Sequence, residues 1–251
     1  FVLHVTSGTV ADTYTFSAGG DFANAATPVN SNFSVAFYQD ASAGHDCSAL
    51  GGQVTGTGNI NAGATAYFCG VVTSAANTPA STVAKVYFRV RSSTTGTADI
   101  KLDEVTVNAA KAISLNPDNT QQAFPGGNVV YTHTLANNGN TAETITISKV
   151  DTNGLSSVVY IDSNNDGFLD AGDELFSAAA RTLLQGTSVK VFVTVAVPSN
   201  TSVGTSSTTT LTATTTGADT VTDTSMDNTK VVGGFICFVV TGKKDVGCHG
   251  T

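Results

Sequence analysis

The chain has 251 residues, of which 41% are hydrophobic and only 12% charged, with a formal net charge of −8. That charge lacks the clustered Lys and Arg needed to displace counterions from phosphates, which excludes nucleic acid as a partner. No apolar run approaches the roughly 20 residues of a membrane-spanning helix, the longest being Phe235 to Val240.

A length of this order suits two domains, since single cores usually occupy about 100 to 150 residues. The charged share is well below the usual value of about 25%, and the polar quota is filled by Thr, Ser, Asn and Gly. Helices normally carry Glu, Lys, Arg and Leu, yet Glu occurs only at 104, 143 and 174. Thr and Val, which fit a pleated half-buried surface, abound, so the expectation is β structure throughout. The fold class expected is all-β: two immunoglobulin-like or jelly-roll-like β-sandwich domains with a C-terminal, disulfide-closed β-hairpin.

Along the chain, apolar stretches bounded by Gly, Asn, Asp and Pro recur at the spacing of a sandwich. Phe1, Leu3 and Val5 alternate with more polar neighbours and mark residues 1–6 as a strand suited to insertion into a sheet. The first domain, residues 1–108, then shows strand patterns at Thr9 to Ser17, Asn32 to Tyr38, Thr65 to Val72, Val83 to Arg91 and Ala98 to Asn108. In Val83 to Arg91, Ala84, Val86, Phe88 and Val90 form one apolar face and Lys85 and Arg89 lie on the other. A second domain, residues 109–230, shows Ala112 to Asn116, Asn128 to Ala136, Ala142 to Val150, Ser156 to Ile161, Ser188 to Val197, Ser207 to Thr215 and Val221 to Thr224. The Thr-rich stretch Thr201 to Ser225 contains no Pro and includes Leu211, and so reads as strands with exposed Thr faces rather than a mucin-like stalk. The one helix candidate is Ala171 to Arg181. Residues 231–251 form an extension in which Phe235 to Val240 is apolar on both faces, a strand covered on both sides or paired with something outside its own sheet and so a second candidate for the exchanged strand, followed by a turn at Thr241 to Lys244.

Four cysteines allow three pairings. The local one, Cys47 with Cys69 and Cys237 with Cys248, is favoured over buried free thiols, and each closure is worth about 3 kcal/mol in the chain-entropy model. Disulfides place the protein outside the cytosol. A start at Phe1 without an initiator Met agrees with removal of a signal peptide.

The segment Asp162 to Asp173 reads D-S-N-N-D-G-F-L-D-A-G-D and matches a calcium loop. Asp162, Asn164, Asp166, Asp170 and Asp173 stand at positions 1, 3, 5, 9 and 12, the backbone carbonyl of Phe168 at 7, and Gly167 at the obligatory turn. Calcium is a hard cation that takes six to eight oxygens, which this spacing wraps around one point; Asp173 replaces the usual bidentate Glu. Without helices on either side, such an ion would stiffen a loop between strands rather than trigger an opening movement.

Residues Gly126 to Asn140 (GGNVVYTHTLANNGN), Tyr160 to Gly167 and Leu169 to Asp173 together resemble the immunoglobulin-like repeat of unknown function found in many bacterial and archaeal surface proteins. The resemblance covers about Ala112 to Thr215 and implies a structural cell-surface module without known catalysis.

Other chemistry finds little support. His133 shares a strand face with Val129, Tyr131 and Leu135, as a core histidine would, and no Gly-x-Ser-x-Gly elbow accompanies it. His45 with Cys47, and Cys248 with His249, lack zinc-site spacing. There is no Cys-x-x-Cys-His for haem. Asn32 and Asn200 head glycosylation sequons. The chain is therefore expected to be a non-enzymatic, extracellular subunit of a pilus-like or biofilm filament, a homopolymer built head to tail by donor-strand complementation. The alternative is a calcium-stabilised adhesin or surface-layer-associated module with a glycan or other surface ligand.

Overall fold

The computed structural model of the chain describes residues 1–24, 26–176, 180–238 and 247–250, the last two strands by their backbone. Among the described residues there are strands and no helix, and no helix is long and apolar enough to cross a membrane. The protein is all-β and divides into two compact units, Phe1–Ala109 and Ala110–Thr251. The junction expected from the sequence lay between residues 108 and 109; residues 231–251, expected as an extension of their own, count with the second unit.

The first unit is built from β1 (Val2–Thr6), β2 (Asp12–Gly19), β3 (Phe33–Asp40), β4 (Leu50–Val54), β5 (Gly56–Ile60), β6 (Thr65–Ser74), β7 (Val83–Ser92) and β8 (Ala98–Thr106). They form two four-stranded sheets, ordered β1-β6-β3-β4 and β5-β2-β7-β8. Strand β7 shows why these sheets face each other. Ala84, Val86 and Phe88 are buried on one side while Lys85 stands out on the other, as the period of two dictates. They meet Phe33 and Phe37 from the opposite sheet in one cluster, and Val5, Ile60 and Phe68 form a second. Gly70 is needed for this packing: a Cβ there would come within 2.6 Å of the Phe88 ring. Strands β4 and β5 escape sequence reading because Gly51, Gly52, Gly56 and Gly58 erase the alternation, and at Gly56 a Cβ would lie 2.4 Å from the Tyr14 carbonyl oxygen.

The second unit comprises β9 (Ile113–Asn116), β10 (Asn119–Ala123), β11 (Asn128–Asn137), β12 (Glu143–Asp151), β13 (Ser156–Ile161), β14 (Glu174–Leu175), β15 (Arg181–Leu183), β16 (Ser188–Ala196), β17 (Ser206–Thr215), β18 (Thr222–Val231), β19 (Phe235–Phe238) and β20 (Gly247–Gly250). Two five-stranded sheets, β10-β18-β17-β12-β15 and β14-β13-β16-β11-β9, enclose a core that includes Leu115, Tyr131, Leu135, Ile145, Val191, Val193 and Leu211. The Thr-rich stretch forms the central pair β17 and β18, with Thr210 and Thr212 on the outer side and Leu211 and Ala213 inside. The helix expected at Ala171 to Arg181 is corrected. Glu174 and Leu175 add to the edge of β13, and Arg181 to Leu183 pair with β12, because sheet edges on both sides offer backbone partners that a short Ala-rich segment cannot match alone. Residues 177–179 lie outside the described ones.

Cys47 and Cys69 are joined by a disulfide that ties the β3–β4 loop to β6. Cys237 and Cys248 face each other in the antiparallel register of β19 and β20; the bond expected between them falls on side chains outside the described ones, as does the turn expected at Thr241 to Lys244. The Cys47–Cys69 bridge spans 22 residues of sequence, so replacing both cysteines by Ser should cost the first unit about 3 kcal/mol. Denaturant unfolding of the full chain, followed by a probe in each unit, would show the first transition move and the second stay.

Candidate functional site

Strand β13 carries Ser157, Val159 and Ile161 into the core and delivers the chain to Asp162. The return strand β14 pairs Glu174 with Ile161 and Leu175 with Tyr160. Residues 162–173 are thus the closing loop of a hairpin, and Asp162 and Asp173 stand just beyond its last backbone pair. Within the loop the side chains form a connected ring. The buried Asp162 carboxylate accepts the N–H groups of Asp166 (3.2 Å) and Gly167 (3.0 Å). Asp173 accepts those of Ser163 (3.2 Å) and Asp170 (3.0 Å), joining the two ends of the loop. The Asn164 amide donates to Asp166 (2.9 Å) and reaches Asp170 at 3.4 Å. Gly167, at φ +83°, takes the turn in the left-handed region. Phe168 points out, 75% exposed, with its N–H on Asp166 (2.8 Å).

Asp162, Asn164, Asp166, Asp170 and Asp173 thus stand on one loop, their carboxylates held by backbone N–H groups and the Asn164 amide, and among the described residues no three of the four carboxylates have oxygens within 4.8 Å of one another. Among the described residues, none of these four Asp forms an ion pair with Lys or Arg. The group of ligating side chains whose atoms do fall within 4.8 Å of one another is Asp40, Cys47 and Cys69, where both sulfurs are committed to the disulfide.

Strand β1 is seated in its own unit. It pairs with β6 from Val2 opposite Cys69 to Thr6 opposite Thr65, and among the described residues its other edge pairs with no strand. Val5 is buried, and Leu3 packs against both hydrophobic clusters. The Phe1 ammonium donates to the Gly70 carbonyl at 2.9 Å, the Phe1 carbonyl accepts the Gly70 N–H at 2.9 Å, and the Phe1 ring lies 5.2 Å from that of Phe88. Cys47 Sγ sits 3.6 Å from the Phe1 carbonyl oxygen, so the disulfide loop lies beside the strand's first residue. His4 packs edge-on against Tyr67, on which His45 stacks at 3.6 Å. Along the unpaired edge runs a cleft of about 250 Å³ lined by Val2, Leu3, His4, Phe88, Val90 and residues of β8.

Of the two sequons, Asn32 is half-buried just before β3, and Asn200 is exposed in the turn closed by Thr201 N–H on the Pro198 carbonyl at 3.0 Å.

Sequence reading missed the buried polar sites of the second unit. His133, fully buried, meets Asp227 through Nε2 (2.9 Å) and Ser225 through Nδ1 (3.1 Å). The three residue types are those of a nucleophile triad, but Ser225 is 1% exposed and its hydroxyl bonds the Pro117 carbonyl at 2.7 Å, so no substrate reaches it. Asp151 gathers Lys149 (2.8 Å) and the hydroxyls of Ser157 (2.6 Å) and Thr209 (2.8 Å). Burial pushes its carboxyl up, but the Lys149 ammonium and the two hydroxyls outweigh burial and hold it at about 2. The alternation of β12, β17 and β18 hinted that such polar residues face inward, without saying which of them meet.

No protein-family model matches the chain, and no curated protein matches it. Among solved structures, the chain is similar to BcpA, the major pilin subunit of Bacillus cereus, at 9% identity and a TM-score of 0.34, covering 89% of this chain and 71% of that one. It is also similar to domains 4 and 5 of the S-layer protein SbsC, at 18% identity and a TM-score of 0.28, covering 65% of this chain and 62% of that one. A third is the PapD-like domain of human CEP192, at 13% identity and a TM-score of 0.32, covering 48% of this chain and 84% of that one. Likenesses at this level carry no argument about the function of the chain.

Because the Asp151 carboxyl is lower in the folded than in the unfolded chain, its contribution is present above the ordinary Asp value of 3.8 and is lost as pH falls toward about 2. Melting curves between pH 5 and pH 2 should show the second unit weakening in that window, and Asp151→Asn should flatten the dependence while costing about 1 to 3 kcal/mol at neutral pH. An unchanged acid profile in the variant would contradict the assignment.

Proposed function

We propose that the chain is a structural, non-catalytic subunit of an extracellular filament whose copies join head to tail by exchanging strand β1. The observation that carries this reading is the seat of β1: an edge strand, hydrogen-bonded on one side only, whose inward side chains Leu3 and Val5 belong to the core of the first unit. A strand of that kind has the same contacts whether it comes from its own chain or from a neighbour, so exchange costs no core packing. Main-chain bonds to β6 supply affinity, and the alternating side chains supply register. A heterologous contact that does not close generates an open filament.

The link to β2 supports the same idea. Ser7 is buried, with its N–H on the Ala64 carbonyl (3.0 Å), and the carbonyls of Ser7 and Gly8 accept the Gly63 N–H, so the end of β1 is tied to the 63–64 turn. Thr9, Val10 and Ala11 beyond it are exposed and form the pivot about which the strand would swing to a neighbour.

The loop at 162–173 is proposed to hold calcium. Asp162, Asn164, Asp166, Asp170 and Asp173 offer the hard oxygen donors that calcium takes, and the Phe168 carbonyl would complete the set. The ion would supply a cross-link between the two ends of the β13–β14 hairpin, stiffening the second unit without taking part in any reaction.

Removing Phe1 to Thr6 should abolish polymers seen by electron microscopy, leave β6 as a bare edge, and make the first unit recover its stability when a peptide of sequence FVLHVT is added. Fibres that persist in the deletion, or an intact chain that stays monomeric at high concentration, would sink the strand-exchange reading. Separately, calcium at millimolar level should raise the melting temperature of the second unit. Chelator should reverse the rise and Asp162→Ala should abolish it, whereas a melting temperature indifferent to calcium would remove the ion from the account.

A further inference from the structure

The ring of His133 is enclosed in the second unit with an oxygen facing each nitrogen, and counting protons there leads to its charge state. Ser225 has one hydroxyl proton to donate. Its Oγ lies 2.7 Å from the Pro117 carbonyl oxygen and 3.2 Å from Asp118 Oδ1, which itself accepts the Met226 N–H at 2.8 Å. Two lone-pair oxygens 2.7 Å apart repel unless a proton lies between them, so the hydroxyl proton goes to Pro117. The 3.1 Å contact from Ser225 Oγ to His133 Nδ1 must then be donated by the ring. On the other side, Asp227 Oδ1 accepts the Asn119 amide at 2.9 Å, and Oδ2 faces Nε2 at 2.9 Å. An unprotonated nitrogen against a carboxylate oxygen in a fully buried site would be strongly unfavourable.

We infer that the His133–Asp227 pair holds one proton more than a neutral imidazole beside a carboxylate, with His133 the imidazolium donating from both nitrogens, and that this buried ion pair latches the β9–β10 corner onto β18. The groups around it agree. Asp227 faces the ring from β18, and Asp118 faces it through Ser225 from the corner. On β11 itself Tyr131 shares the face, and burial, opposed by the Thr229 hydroxyl and reinforced by Asp227, raises its phenol and keeps it neutral. Val191 of β16 lies opposite His133, and Leu211 of β17 lies opposite Ser225; neither brings charge. Among the described residues no Lys or Arg pairs with Asp118 or Asp227, so the ring is the cation that balances the site. The corner hangs on the same set: Asn119 on Asp227, the Pro117 carbonyl on the Ser225 hydroxyl, Asp118 on the Met226 N–H, and the Leu115 N–H on Asp223 (2.7 Å).

Long-range proton–nitrogen correlation spectra of the full, uniformly 15N-labelled chain at about pH 7.5 test the inference. Both ring nitrogens of His133, assigned through its β protons, should show protonated shifts, with ring protons protected from exchange with solvent. A lone-pair shift on either nitrogen would overturn the charge state. In Asp227→Asn the amide protection of Leu115 and Met226 should fall about tenfold or more relative to β13, marking loss of the latch; protection unchanged there would overturn its role. Should that variant fail to fold, Asn119→Ala, which removes one arm on Asp227 and leaves the ring in place, gives the same comparison.

Discussion

A sandwich of two sheets has seams along which the edges of the sheets face each other, and the residues behind each seam reach water unless some piece of chain covers them. The two units of this protein meet that constraint differently. In the second, the first strand starts in one sheet as β9, turns at the cis Asn116–Pro117 bond, and continues in the other sheet as β10, parallel to β18. One segment serves both edges. In the first unit β1 stays in a single sheet beside β6, and a cleft remains between it and β8.

The crossing strand of the second unit brings polar backbone and side chains into the interior, where each must find a partner. His133, Asp227, Ser225, Asp118 and Asn119 supply them to one another and to the corner. Buried ionic groups of this kind add less to stability than apolar packing of the same volume, but they tolerate few alternative arrangements. The chain's low charge content fits this picture: what polar side chains it buries are mostly Thr and Ser, and its buried carboxylates organise hydroxyls and amides, as Asp12 does with Thr94 and Asp227 with Asn119.

The first unit has a different consequence. Its last cover, β1, is held by one row of main-chain bonds to β6 and a few inward side chains, and residues Thr9 to Ala11 after it are exposed. The acidic loop closes the hairpin of β13 and β14 in the second unit.

Much of this was legible in the residues because β structure writes a period of two. Val83 to Val90, Asn128 to Leu135 and Ser206 to Thr215 show the alternation, and the positions of their inner faces follow from it. That Asp162 to Asp173 form a single loop was legible because its Asp, Asn and Gly residues are local in sequence. Strands β4 and β5, whose glycines carry no side-chain pattern, were not, nor were β14 and β15, which exist only because sheet edges were there to receive them. Composition and local pattern by themselves determined that the chain is all-β. Only the tertiary structure decided that β1 lies in its own sheet and that His133 shares one buried site with Ser225 and Asp227, some ninety residues further along the chain, because cross-strand register and the crossing at Asn116–Pro117 depend on contacts that no local window contains.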